Sequence, residues 1–92
     1  MTYKEVEGKI VKIFMEHFKV DGVDIYSTFK EINMDFDDLD FVEILMVIED
    51  QFDIFIDDVI ADKWKILKDI IDHVSDRTGV PRIVSRFEIM DI

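Results

Sequence analysis

From the N-terminus the apolar positions recur at helical spacing. Val6, Ile10, Ile13 and Phe14, then His17, stand at i, i+4, i+7, i+8 and i+11, one stripe of an amphipathic helix. Thr2 and Glu5 supply the hydroxyl and carboxylate of a capping box, which predicts a first helix over residues 3–18 with Gly22 as its breaker. Residues 23–37 read as a long connection holding a second capping-box pair, Thr28 and Glu31, with Phe29, Ile32 and Met34 as anchors into the core. The next helix runs from about Leu39 to Phe52. Leu39, Val42, Leu45, Met46, Glu49 and Phe52 share related turns, but Phe41, Ile44, Val47 and Ile48 are apolar as well. A helix apolar around its circumference is either central to a core or has an exposed face for a partner. "DIFIDDVIADKW" predicts a link and one helical turn, capped by Asp57 or Asp58. Ile66, Leu67, Ile70, Ile71 and Val74 mark a last helix that ends before Gly79. Three long helices and one short one predict an all-α fold, a small four-helix bundle over residues 1–78. The tail over 79–92 fits a helix (Ile83, Phe87, Met90) or a strand (Ile83, Ser85, Phe87, Ile89).

Composition supports a single helical domain. Of the 92 residues, 49% are hydrophobic, so burial can offset chain entropy, and the one proline and three glycines disfavour a turn-rich β fold. There is no cysteine, hence no disulfide framework and no thiolate chemistry. No uncharged apolar run reaches the length of a bilayer span, and the "MTYKEVEGK" start is unlike a secretory signal. The expected compartment is the cytoplasm, or an organelle matrix if a presequence has been removed.

Charge narrows the partner. The formal net charge is −11, and from Asp35 to Asp62 there are eleven acids and no base. Phosphate backbones and anionic lipids are repelled by such a surface, so neither nucleic acid nor membrane is an expected partner. A basic protein is.

Candidate chemistry is thin. Asn33, Asp35 and Asp37 alternate like the start of an EF-hand loop, but Asp38 then takes the place of the turn glycine and Ile44 that of the bidentate glutamate. His17 and His73 have no partner at ligand spacing and read as ordinary helix residues, so no metal site is expected. General acid–base work needs a carboxylate desolvated in a cleft, and no nucleophile arrangement or phosphate loop is present. Catalysis is not expected.

"DDLDFVEILMVIEDQFDIFIDDVIADKW" resembles the acyl carrier protein family, in which "DSLD.VEL.M.LE..F.I.I.D..A.K" recurs. Asp37, Leu39, Asp40, Val42, Glu43, Met46, Glu49, Phe52, Ile56, Asp58, Ala61 and Lys63 match without a gap, and the likeness covers roughly residues 3–77. It implies the family's four-helix bundle and a role in fatty-acid or related acyl synthesis. In that family the serine of "DSL" carries 4′-phosphopantetheine. Here that position is Asp38. A hydroxyl attacking the pyrophosphate of coenzyme A gives a stable phosphodiester, whereas a carboxylate would give an acyl phosphate that hydrolyses. The resemblance therefore implies no cofactor on this chain as given, and phosphopantetheine only if position 38 is natively serine.

The resemblance also implies a docking face for basic partners: Asp37, Leu39, Asp40, Val42, Glu43, Met46, Glu49, Asp50, Ile56, Asp58 and Asp62. Two readings follow. One is a non-enzymatic module, monomeric alone, that binds a carrier-protein-dependent enzyme or an assembly subunit without the arm. The other is a working acyl carrier protein whose serine at position 38 has been substituted. A third class, a divalent-ion-responsive protein, would rest on the Asn33–Asp37 loop.

Overall fold

A computed structural model of the chain describes residues 2–79. They form five helices and no strand: α1 (Tyr3–Phe18), α2 (Phe29–Ile32), α3 (Asp38–Phe52), α4 (Asp58–Ala61) and α5 (Leu67–Arg77). The expected all-α bundle is thus present, with one more short helix than the four expected. The extra helix is the turn started by Thr28 and Glu31, whose side chains cap each other's backbone. Both tail alternatives lie outside the described residues. No helix among the described residues is long and apolar enough to cross a membrane.

Capping fixes most of the helix starts. The Thr2 hydroxyl accepts from the Glu5 N–H while Glu5 accepts from the Thr2 N–H, so α1 begins where its sequence demands. Asp37 and Asp40 do the same for α3. The cap is therefore Asp37, and Asp38 is the first helical residue. Ile66 cannot cap α5; instead Asp69 reaches back to the Lys65 and Ile66 N–H groups, and the carbonyls of Ser27 and Ile25 take the N–H groups of Leu67 and Lys68. These bonds also tie the 23–37 connection to the start of α5.

α1 packs on α3 and α5. The core is built from Val6, Ile10, Ile13 and Phe14 of α1, Ile44, Leu45, Ile48 and Phe52 of α3, and Leu67, Ile70, Ile71 and Val74 of α5. Its α1 and α5 members are those the apolar spacing named. In the connection, Phe29 and Ile32 are half-buried against the core, but Met34 is 81% exposed and Phe36 takes the buried position. The reason is local. Asn33 accepts from the Asp35 N–H in a tight turn, and the Phe36 N–H bonds to the Asn33 carbonyl, which brings Phe36 inward. From there a run of aromatic rings crosses the molecule: Phe29 to Phe36 at 5.2 Å, Phe36 to Phe41 at 6.1 Å, Phe41 to Trp64 at 6.4 Å and Trp64 to His73 at 5.3 Å between centroids.

Candidate functional site: the outer face of α3

α3 sends its two faces in opposite directions. At 100° per residue Phe41, Ile44, Leu45, Ile48 and Phe52 fall on one side, and these are the buried or half-buried ones. Leu39, Val42, Met46 and Asp50 fall on the other. Leu39 is 65% and Met46 61% exposed, Val42 and Val47 lie beside them in solvent, and Glu43 and Asp50 supply charge to the same face. After the helix Phe55, Val59 and Ile60 are exposed apolar residues, with Asp58 and Asp62 exposed on and after α4.

Not every residue expected on this face is there. Ile56 is 2% exposed and belongs to the core, held inward by its N–H bond to the Glu49 carboxylate at 2.8 Å. That bond also gives Glu49, half-buried, a structural task at the end of α3. Asp37 stays exposed but caps the helix, and Asp40 is half-buried between α1 and α3. The exposed members are Asp37, Leu39, Val42, Glu43, Met46, Asp50, Asp58 and Asp62, and Asp38 is exposed beside them. Phe55 and Val59, which the sequence did not single out, are exposed as well. Nothing in the alternation of "DIFIDD" marks Phe55 as outward and Ile56 as inward; the Glu49 bond decides it.

Asp38 opens α3 beside a pocket of about 470 Å³. Phe29, Phe36, Phe41 and Trp64 give it aromatic walls, and Asp37, Asp38, Asp62 and Lys30 contribute its charged groups. The pocket thus joins the position singled out in the sequence to the aromatic run of the core.

His17 reads in the sequence as an ordinary helix residue, and the structure gives it partners. Its Nε2 lies 3.0 Å from Asp40 Oδ1 and 3.9 Å from Glu43 Oε1, so it bridges α1 to α3. The bond to His17, more than any other influence, holds the Asp40 carboxyl below its ordinary pKa, and the bonds at Asp37 add to the effect. No sequence signal could have found this pair: twenty-three residues separate the two, and no local period relates residues on different helices. His73 differs. Burial, then the Arg77 charge, lowers its pKa, and its Nε2 is buried with no hydrogen-bond partner among the described residues.

No family model matches the chain. It is similar to the acyl carrier proteins of two Nitratidesulfovibrio vulgaris strains, each 36% identical over 74 residues, a span of 78% of this chain and 96% of theirs. It is also 31% identical over 77 residues to the acyl carrier protein of a Picosynechococcus species, covering 83% of this chain and 95% of that one.

Proposed function

This chain belongs to the acyl carrier protein family, and from that premise we propose that it works without the prosthetic arm, as a module that docks basic partners through the outer face of α3. The observation that carries the reading is the amphipathic split of α3. Its exposed side combines Leu39, Val42 and Met46 with Glu43 and Asp50, on a segment without one compensating base. Such a face attracts lysine and arginine over a distance and then gains from covering its apolar side chains.

The residues present do not fit phosphopantetheine. The family resemblance puts its attachment point at Asp38, an exposed carboxylate on the first turn of α3. Of the two serines among the described residues, Ser27 is half-buried and Ser75 is fully buried within α5. Thr2 and Thr28 are exposed, but their hydroxyls cap helices. Aspartate at position 38 leaves the helix intact, because a negative charge on the first turn favours the helix by about 0.3–1 kcal/mol. The substitution removes the transfer chemistry and keeps the scaffold. No step of catalysis is assigned to the chain.

A second reading, a carrier whose serine at position 38 has been substituted, is favoured by the aromatic pocket that opens beside Asp38. Two experiments separate the readings. For docking, the unmodified chain and a Glu43→Lys/Asp50→Lys variant are compared for binding to a purified acyl-carrier-protein-dependent enzyme with a basic docking patch. Binding by the unmodified chain, weakened at least about tenfold by the reversal, is expected; binding that survives the reversal overturns the docking reading. Glu49 is left alone because its bond to Ile56 shapes the loop. For the arm, Asp38→Ser is offered coenzyme A and a phosphopantetheinyl transferase. A mass gain of one phosphopantetheine shows that the carrier scaffold persists, as the second reading requires, and no gain removes that reading.

A further inference from the structure

We propose that His17, Asp40 and Glu43 form a binding site for one divalent transition-metal ion of the zinc type, bridging α1 to α3. One ligand atom from each of the three residues lies within 4.8 Å of the other two. His17 Nε2 is 3.0 Å from Asp40 Oδ1 and 3.9 Å from Glu43 Oε1. An ion with bonds of roughly 2.0–2.1 Å in tetrahedral array places its ligands about 3.3 Å apart. The two separations from His17 straddle that value, and the two carboxylate oxygens lie within 4.8 Å of each other, so side-chain adjustment without movement of the helices closes the site.

The supporting groups point the same way. Asp40 is already oriented, because its Oδ2 accepts the Asp37 N–H in the capping box and leaves Oδ1 towards His17. Such outer bonds fix first ligands in metal sites. Glu43 stands three residues further along α3, on a neighbouring line of the same helix. His17 comes from the last turn of α1, so the ligands belong to two elements whose packing is fixed by the core. Ion binding would displace the proton that Nε2 shares with Asp40, leaving His17 neutral with its N–H at Nδ1, its Nε2 lone pair on the ion, and two negative charges from the carboxylates. Glu43 brings a second carboxylate to within 3.9 Å of the same nitrogen, so three potential ligands converge on one point. A cleft of about 210 Å³, lined by Ile13, Glu16, His17, Ile44 and Val47, adjoins the imidazole.

The donor set selects the ion class. One imidazole nitrogen with two carboxylates suits zinc, cobalt or nickel, whereas calcium and magnesium take oxygen ligands throughout. An ion here would tie α1 to the start of α3 and neutralise two carboxylates. The site stands on these three residues and does not depend on the docking reading.

The test uses the full chain without an affinity tag, titrated with zinc ions while the imidazole resonances of its two histidines are followed by NMR. The expected result is saturation at one ion per chain, with His17 resonances displaced and those of His73 unmoved. Calcium ions at the same concentration should leave His17 unmoved. In His17→Gln, which keeps a hydrogen-bond donor towards Asp40, zinc affinity should fall at least about tenfold. Zinc that binds without displacing His17, or equally well to His17→Gln, would reveal scattered carboxylate binding and overturn the site. Should the variant fail to fold, the imidazole shifts of the unaltered chain decide alone.

Discussion

At the scale of single residues the two histidines show how much depends on the neighbouring helix. Both read as ordinary helix positions. His17 finds two carboxylates across the α1–α3 contact. His73 finds the Trp64 ring and no polar partner for its Nε2 among the described residues, with Arg77 raising the cost of a second positive charge and Asp76 opposing that effect. The lowered pKa of His73 has a definite consequence for folding. The unfolded chain takes a proton on this imidazole near its ordinary 6.5, while the folded chain resists it. Stability contributed by neutral His73 is therefore present above that value and lost as pH falls below it. Chemical denaturation at pH 7.5 and pH 5.5 should show a smaller acid-induced loss in His73→Phe than in the unaltered chain. Equal losses would remove His73 from the account.

At the scale of elements, legibility followed periodicity. The α1 stripe of Val6, Ile10, Ile13 and Phe14 is apolar on one side only, so spacing alone named its buried residues. α3 is apolar nearly all round, so the sequence could not say whether Leu39, Val42 and Met46 or Ile44, Ile48 and Phe41 faced inward. The packing against α1 decided for the second set. Met34, Phe36 and Ile56 lie in irregular segments, where no period exists and single hydrogen bonds to Asn33 or to Glu49 set which side chain turns in. The division of α3 is testable by stability. Ile48→Ala, at a fully buried site, should cost about 2–5 kcal/mol. Met46→Ala, at an exposed one, should stay within about 0.5 kcal/mol. Urea denaturation of both variants checks this, and a large cost at Met46 would mean that it serves the core instead of a partner.

At the scale of the whole molecule, charge is the dominant feature. Twenty-two acids against eleven lysines and arginines leave the folded chain at −11, with half of the acids gathered between Asp35 and Asp62. Compaction brings these charges together, and salt screens them with a Debye length of about 8 Å at 0.15 M. The melting temperature followed by circular dichroism should therefore rise from low salt to 0.5 M sodium chloride. A flat or falling trend would show that self-repulsion is negligible in the folded state. Binding to a basic partner should respond in the opposite sense, since the same screening weakens attraction across the interface. The two trends together distinguish a repulsive surface that is merely solvated from one that is used.

The most direct test of use is site-specific cross-linking. A photoreactive residue is placed at Met46, on the outer face of α3, or at Lys12, on the exposed side of α1, and the chain is irradiated in the cells that make it. Adducts with basic proteins from position 46, absent from position 12 and abolished by Glu43→Lys/Asp50→Lys, are the expected result. Adducts that form equally at both positions, or that persist after the charge reversal, would contradict α3 as the docking face.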